Sequence, residues 1–384
     1  MKKCILAFML ILSLVLCGCR SNLASDDNND PSYAGSGGFR PYTCAVFNDT
    51  LFYTRETLKS DHSEYDIMCI DLNANSLDEA ELFVKNARLR FLRHNLLFVY
   101  STESSQTLYY DLSAAEQGPK ILGSGLCFAD ANEKNIYYQG SSLDNLNWID
   151  IETGKAGTVI LEDPANTQLF FSDGRIFIFD ITNKAIYPLD ENKEIGSAIV
   201  ENLGIEDEYA SYMPFAASGQ KIIYCFNYSG SDKHSADIMV KDLTDGSVTT
   251  LISDDIYVYS IESVDDFAYI KYIKDNVYYL AKYQFSASAL ETVQFSSFDF
   301  SHQYLFKLKS GHAVSYYPLS VTGGNGAVFE INGDIIKTED YSEIPQKIDY
   351  WGDLYITDKY AVSASDFQIV VFNVDDKSIK NIIT

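Results

Sequence analysis

Residues 135–161, NIYYQGSSLDNLNWIDIETGKAGTVIL, decide the fold because they have the pattern of three short strands joined by two turns. Residues 136–139 and 146–151 have the aromatic and β-branched composition typical of strands. Between the second and third strands, the sequence ETGK at 152–155 places a glycine where a tight turn needs a positive φ angle. Residues 158–161 are the third strand, so this unit is predicted to be an antiparallel meander.

The same plan recurs along the chain, for example at 95–122 (NLLFVY, TLYYDL, PKIL), at 221–252 and at the C-terminal end. Each copy can be anchored on the polar residue that closes its middle strand. These anchors are Asp71, Asp111, Asp150, Asp180, Asp242, Tyr283, Glu330 and Asn373. Their mean spacing of about 43 residues is typical of four-stranded propeller blades. The short interval before Asp180 and the long one after it predict a short fourth unit, followed by an insertion around 194–210.

Small sheets of this kind cannot bury both faces alone, and radial stacking solves the problem while leaving only short edges. We therefore predict an all-β fold, a β-propeller of seven or eight four-stranded blades over residues 39–384. The alternative, a pair of β-sandwiches, needs a mid-chain linker that the sequence lacks. The ring can close in two ways. Residues near 39–45 complete the last sheet, or the C-terminal strand closes its own blade.

The N-terminal segment predicts export. Residues 1–18 have two lysines followed by an apolar run, as in a signal peptide, and Leu16-Cys17-Gly18-Cys19 resembles the bacterial lipobox. That resemblance implies that Cys19 becomes the lipidated first residue. Residues 19–38 are polar and rich in glycine, serine and asparagine, which predicts a flexible tether with a reach of roughly 25 Å. The alternative, an ordinary secretory signal cut nearby, also places the protein outside the cytoplasm.

The chain is strongly acidic, with 54 Asp and Glu against 29 Lys and Arg and a formal charge of −25. Removal of Lys2 and Lys3 with the signal leaves 27 basic residues and a charge of −27. Such a surface repels nucleic acid and anionic lipid. We therefore expect no nucleic acid partner, membrane contact through the lipid anchor only, and a monomer.

Four cysteines remain after signal removal and lipidation, at 44, 69, 127 and 225. They have no C-x-x-C spacing and lie in strand-like segments, so we predict buried thiols. The sequence leaves open a disulfide between Cys44 and Cys69 within the first blade.

No catalytic motif is recognisable: the chain has no G-x-S-x-G, H-E-x-x-H or glycine-rich phosphate loop. The five histidines have no metal-ligand spacing, and no cofactor or metal is expected. Because residues from distant blades converge in a propeller channel, enzymatic activity stays open. The expectation is a protein that is not an enzyme.

The only basic cluster is RLRFLRH, in which Arg88 and Arg90 share one face if the segment is the inner strand of the second blade. There they are candidates for an anion-binding site lining the channel. Alternatively, they pair with neighbouring carboxylates.

The lipobox and the repeated strands that end in Asp-Leu or Asp-Ile together resemble bacterial lipoproteins with propellers of the TolB-like or low-density-lipoprotein-receptor-like kind. The Tyr-Trp-Thr-Asp signature of the receptor propellers is absent. The resemblance implies a binding or scaffolding module at the cell envelope, with an unidentified envelope protein or glycan as partner. The alternative function is an envelope glycan hydrolase or lyase with acidic residues in the channel.

Overall fold

The computed structural model describes residues 44–59, 63–140, 145–205, 215–229, 235–253, 256–295, 304–308, 311–316, 328–331, 334–337, 354–364 and 368–383. The predicted signal peptide (1–18), the lipidation site Cys19 and the tether (19–38) lie outside these residues. The described chain forms eight antiparallel sheets of consecutive strands, of which seven have four strands and one has three.

The chain divides into two compact units, one containing Pro41–Ile121 and Pro345–Thr384 and the other Leu122–Ile344. The sheets of the first unit are sheet 1, sheet 2, whose last strand spans the boundary at Ile121, and sheet 8. Sheet 1 has β1 (Cys44–Phe47), β2 (Thr50–Leu58), β3 (Ser63–Asp71) and β4 (Glu81–Val84). Sheet 2 has β5 (Ala87–Arg93), β6 (Leu96–Ser101), β7 (Gln106–Asp111) and β8 (Lys120–Ser124). Sheet 8 has β28 (Leu354–Ile356), β29 (Tyr360–Ala364), β30 (Gln368–Asn373) and β31 (Ile379–Ile383).

The second unit holds the other five sheets. Sheet 3 has β9 (Leu126–Ala131), β10 (Asn135–Gly140), β11 (Leu146–Asp150) and β12 (Ala156–Val159), and sheet 4 has β13 (Thr167–Ser172), β14 (Arg175–Asp180) and β15 (Ala185–Pro188). Sheet 5 has β16 (Phe215–Ser218), β17 (Lys221–Ser229), β18 (Ser235–Asp242) and β19 (Val248–Ile252), and sheet 6 has β20 (Ile256–Val264), β21 (Phe267–Lys274), β22 (Val277–Gln284) and β23 (Ala289–Phe295). Sheet 7 has β24 (Tyr304–Leu308), β25 (Gly311–Tyr316), β26 (Val328–Ile331) and β27 (Asp334–Lys337). Short 3-10 helices lie at Leu77–Glu79, Leu112–Gln117 and Pro164–Asn166.

Within each unit, the first strand of one sheet lies against the first strand of the next. In the first unit, β1 contacts β5 and β28, and in the second unit β16 contacts β13 and β20, and β20 contacts β24. Successive meanders packed through their first strands are the arrangement of a propeller. The predicted all-β propeller is confirmed, and the sheets number eight.

The first and last sheets meet without exchanging a strand. The Cys44 thiol donates to the carbonyl of Val362 at 3.8 Å, and Lys359 pairs with Asp49 at 3.2 Å. All four strands of sheet 8 come from the C-terminal end, whereas Cys44–Phe47 pairs with β2 in sheet 1. Of the two closures left open by the sequence, the C-terminal strand closing its own blade is therefore the one found.

The repeated acidic anchor closes a turn in each of four sheets. In sheet 3, Asp150 Oδ1 accepts the backbone N–H of Thr153 at 2.7 Å. The next residue, Ile151, donates its N–H to the carbonyl of Lys134 in the turn between the first two strands, at 2.8 Å. Equivalent pairs of bonds are made at Asp71-Leu72, Asp111-Leu112 and Asp242-Leu243. The Asp-Leu or Asp-Ile repeat thus binds two turns of one sheet together.

One anchor was placed on the wrong residue. In sheet 6, the anchor is Gln284 and not Tyr283, because the N–H of the following Phe285 donates to the carbonyl of Asp266 in the turn, the bond that repeats in the other sheets. Asp180 ends β14, the middle strand of the three-stranded sheet 4, as predicted. Sheet 4 is short, as predicted. Two isolated bridges, Ile186 to Val200 and Leu189 to Ile195, stand where a fourth strand lies in the other sheets.

Candidate functional site

The basic cluster lies where the ends of four strands of sheets 1 and 2 converge. In sheet 1, the end of β2 pairs with the start of β3, and in sheet 2 the start of β5 pairs with the end of β6. Contacts of β5 with β2 and β3 bring the two sheets together. We name the resulting group the Arg–Tyr surface, formed by Arg55, Tyr65, Arg88, Arg90 and Tyr100.

Arg88 is the exposed centre of the Arg–Tyr surface. Its guanidinium carbon lies 3.6 Å from the centroid of the Tyr65 ring, a distance at which a cation is attracted by the ring face. The Tyr65 hydroxyl donates to Glu56 Oε1 at 2.9 Å, which fixes the orientation of the ring. Hydrogen bonds from Ser63 and Tyr65, with the nearby charge of Arg88, hold the pKa of Glu56 below its usual value. The guanidinium is therefore preorganised while remaining exposed to solvent.

Arg90 lies at an irregularity in β5. The pairing of β5 with β6 shifts between Leu89 and Phe91, so Arg90 has no cross-strand partner. Such a bulge redirects a side chain and is common beside functional sites. The guanidinium lies 5.6 Å from the Tyr100 ring centroid. Burial lowers the pKa of Arg90, Tyr100 opposes this shift, and the like charge of Arg88 adds to it.

Asp66, which pairs with Arg55 within sheet 1, and Thr54 connect sheet 1 to sheet 2 through polar bonds. Arg55 Nη2 lies 3.5 Å from Asp66 Oδ2, and Asp66 Oδ1 accepts the backbone N–H of Asn86 at 3.0 Å. The backbone N–H of Leu89 donates to Thr54 Oγ1 at 3.0 Å. Residues before and within β5 are therefore tied to the end of β2 and the start of β3, and this fixes Arg88 relative to Tyr65.

Two buried polar atoms beside the surface lack a hydrogen-bond partner: Arg55 Nε and Thr107 Oγ1. Thr107 is 2% exposed and stands opposite Tyr100, which in turn stands opposite Arg88. Unsatisfied polar atoms of this kind are uncommon in folded proteins. Four others lie elsewhere in the described residues, on Gln168, Arg175, Ser260 and Glu262, so the feature is not specific to this surface.

The sequence located part of this site. The prediction that Arg88 and Arg90 lie on the first strand of the second sheet is confirmed, and Arg88 lies over sheet 1 through its contact with Tyr65. The alternative, in which the arginines pair with neighbouring carboxylates, also holds for Arg88, because its charge lowers the pKa of Glu56. The sequence did not reveal Arg55, Tyr65 or Tyr100, since their approach depends on strand register and packing between sheets.

Cys44, Cys69 and Cys225 are buried thiols, so the Cys44–Cys69 disulfide left open by the sequence is not formed. The side chain of Cys127, also predicted to be a buried thiol, lies outside the part of the chain that the structure describes. Burial raises the pKa of the Cys225 thiol far above its ordinary value. A thiol of that kind is a poor nucleophile and metal ligand.

Within the described ranges, no group of three or more His, Cys, Asp or Glu side chains is arranged to hold a metal ion. Among the same residues, no helix is long and apolar enough to cross a membrane.

No protein-family model and no curated protein matches this chain. Among solved structures, it is similar to the β-propeller domain of the Trilobed protease from Pyrococcus furiosus, at 12% identity over 83% of this chain and 99% of that one, with a TM-score of 0.46. Apo AztD from Citrobacter koseri matches at 10% identity over 91% and 95% of the two chains, with a TM-score of 0.46. The acylaminoacyl peptidase of Pyrococcus horikoshii matches at 11% identity over 89% of this chain but only 56% of the peptidase, with a TM-score of 0.46. Likenesses this remote carry no inference about activity.

Proposed function

We propose that this protein is a lipid-anchored, extracytoplasmic β-propeller that binds an envelope protein or glycan through the Arg–Tyr surface. The observation that carries the proposal is the exposed Arg88 guanidinium held 3.6 Å above the Tyr65 ring, on a chain whose formal charge is −25. An acidic protein that keeps an ordered cationic surface has a docking point for an anionic or polar partner.

The chain enters sheet 1 near the Arg–Tyr surface. Cys44 pairs with Tyr53, so the N-terminal segment reaches β1 at the end of the sheet where Arg55 lies. A lipid on Cys19 is 25 residues from Cys44, a length of chain with a reach of roughly 28 Å. The Arg–Tyr surface would then lie near the point at which the tether joins the folded part of the chain.

The binding claim is tested by capture from envelope extract. The chain from Arg20 onward is immobilised as wild type and as the Arg88→Ala/Arg90→Ala variant. The matched control is Arg175→Ala, because Arg175 also lies over an aromatic ring, Phe177 at 5.2 Å, and beside an acid, Asp173 at 3.5 Å. We expect saturable capture of one partner by the wild type and the control, and its loss in the double variant. Equal capture by all three proteins would refute the proposal. Recovery of a shortened polysaccharide would favour the alternative function, a glycan hydrolase or lyase.

The anchor is tested separately. Cells that produce the full chain are labelled with a radioactive fatty acid, and the protein is partitioned into detergent. The lipid anchor is supported if the wild type carries the label and enters the detergent phase, and if the Cys19→Ser variant does neither. Full labelling of that variant, or none of the wild type, would contradict it.

A further inference from the structure

We propose that the ligand of the Arg–Tyr surface is a glycan sugar carrying a single carboxylate, bound by Arg88 and Arg90. This inference rests on the proposed binding function and names the chemical class of its ligand. The ligand's carboxylate lies between the two guanidinium groups, and its sugar ring lies beside Tyr65 and Tyr100.

Arg88 and Arg90 lie two residues apart on β5 and beside the same ring, because Tyr100 stands opposite Arg88 and its centroid lies 5.6 Å from the Arg90 guanidinium carbon. The like charge of Arg88 also lowers the pKa of Arg90, so the two guanidinium groups are near enough to repel each other. An anion placed between them removes this repulsion and accepts charge-assisted hydrogen bonds from both. A carboxylate fits the planar fork of a guanidinium through two parallel bonds. The surface therefore has a place for one planar anion.

The acidic side chains around the Arg–Tyr surface favour a ligand with one negative charge over a ligand with several. Glu56 accepts from Tyr65, Asp66 lies at 3.5 Å from Arg55, and Glu103 accepts from Asn86 at 3.2 Å. These carboxylates balance much of the local positive charge, and the whole chain adds a formal charge of −25. A phosphate dianion or a densely charged polymer meets more repulsion than a monocarboxylate does.

The aromatic part of the surface favours a sugar over an acidic peptide. The aromatic rings of Tyr65 and Tyr100 lie beside the two cations, at 3.6 Å from Arg88 and 5.6 Å from Arg90, and an aromatic ring next to a charged group suits a sugar ring with both apolar and polar groups. Leu58, which is 79% exposed, is the one large apolar side chain of β2, β3, β5 and β6 that is exposed among the described residues. A peptide with large apolar side chains would therefore find little exposed aliphatic surface to contact there.

The test uses three ligands built on one ring: methyl glucuronide, methyl glucoside and glucose 6-phosphate. Binding to the protein purified as its full natural chain is measured by ligand-observed NMR and by calorimetry. We expect the glucuronide to bind about tenfold or more tightly than the neutral glucoside, the ratio that one charge-assisted hydrogen bond supplies. The phosphate should bind more weakly than the glucuronide. Arg88→Ala should remove the preference for the glucuronide, whereas Arg175→Ala should keep it.

Equal binding of the three ligands, tighter binding of the phosphate, or no binding of the glucuronide would overturn the inference. A peptide with a free C-terminal carboxylate serves as a fourth probe, and tighter binding of that peptide than of the glucuronide would overturn it too. These outcomes are distinct from failure of the proposed function. If the captured envelope partner needs Arg88 and Arg90 but is not displaced by glucuronide, the ligand class is wrong and the binding function stands.

Discussion

The hydroxyl oxygens of Ser172 and Ser263 lie 2.7 Å apart in the interior of the second unit, although 91 residues separate them in the chain. Both hydroxyls are within hydrogen-bonding distance of the Ala217 carbonyl, at 3.1 and 2.9 Å, and the Ala217 N–H donates to Ser172 Oγ at 2.9 Å. The three residues belong to β13, β16 and β20, the first strands of sheets 4, 5 and 6. One buried polar group thus connects three successive sheets.

Removing these hydroxyls should destabilise the second unit unequally. Ser172→Ala leaves the buried Ala217 N–H without its acceptor, so we expect a loss of about 1–3 kcal/mol, and Ser263→Ala should cost less. The double variant should cost less than the two single losses added, because the residues share partners. Urea unfolding measures all three, with the exposed Ser124→Ala as control. Strict additivity would contradict the shared network.

Gly157 is required beneath the Trp148 indole. Gly157 stands opposite Trp148 in the sheet, and a Cβ added there would lie 2.7 Å from Trp148 Cζ2. We expect Gly157→Ala to lower the free energy of unfolding by about 1–3 kcal/mol and to shift the emission of Trp148, read in a Trp351→Phe background. Gly123→Ala is the matched control, since its added Cβ meets no atom within 4 Å. Equal effects of the two alanine variants would show that the indole is free to move.

The last strand should be essential to sheet 8. Ile382 on β31 is fully buried, whereas Ile379 on the same strand is 41% exposed. Ile382→Ala is expected to cost about 2–5 kcal/mol and Ile379→Ala much less. Deletion of residues 378–384 should lower the Tm further, because it also removes the bond from Lys380 Nζ to the Leu72 carbonyl of sheet 1. An unchanged melting curve after the deletion would disprove closure through this strand.

Asp266 should contribute a pH-dependent part of the stability. Burial works to raise the pKa of Asp266, but hydrogen bonds from Ser286 and Gln284, with the charge of Lys221, bring the pKa below its usual value. A lowered folded-state pKa stabilises the protein above the unfolded pKa of about 3.9, and the contribution is lost as the pH falls through the folded value.

The test is Asp266→Asn. Its destabilisation relative to the wild type should be largest near pH 6 and should shrink as the pH falls below about 4. Urea unfolding at several pH values measures the difference, with the exposed Asp275→Asn as control. A destabilisation that grows toward low pH would show that the sign is wrong.

The fold could be predicted from the sequence because the interactions that define each sheet lie between residues close together in the chain. The strand that ends at Asp150, the turn to Thr153 and the bond from Ile151 to Lys134 all lie within one short unit, so repetition of that unit revealed the sheets. The same pattern occurs at Asp180, which accepts the backbone N–H of Asn183 at 2.8 Å, but there it ends the second strand of its sheet, whereas Asp150 ends the third. The pattern alone does not say which strand has ended.

Only part of the candidate site could be predicted from the sequence. Arg88 and Arg90 stand out as basic residues in an acidic chain, but the ring beneath Arg88 comes from Tyr65 in another sheet. The position of Arg90 depends on a bulge between Leu89 and Phe91. Neither the packing between sheets nor the bulge has a signature in the alternation of residues along one strand. Sequence periodicity therefore gives the scaffold but not the contacts that assemble its surface.

The most direct test of binding through the Arg–Tyr surface is hydrogen exchange, followed by mass spectrometry, on the chain from Arg20 onward with and without the captured envelope partner. Binding at this surface predicts slower amide exchange in the peptides that contain the end of β2, the start of β3 and the start of β5, with little change in the sheets of the second unit. Unchanged exchange in those peptides, with protection in other sheets, would show that the partner binds elsewhere.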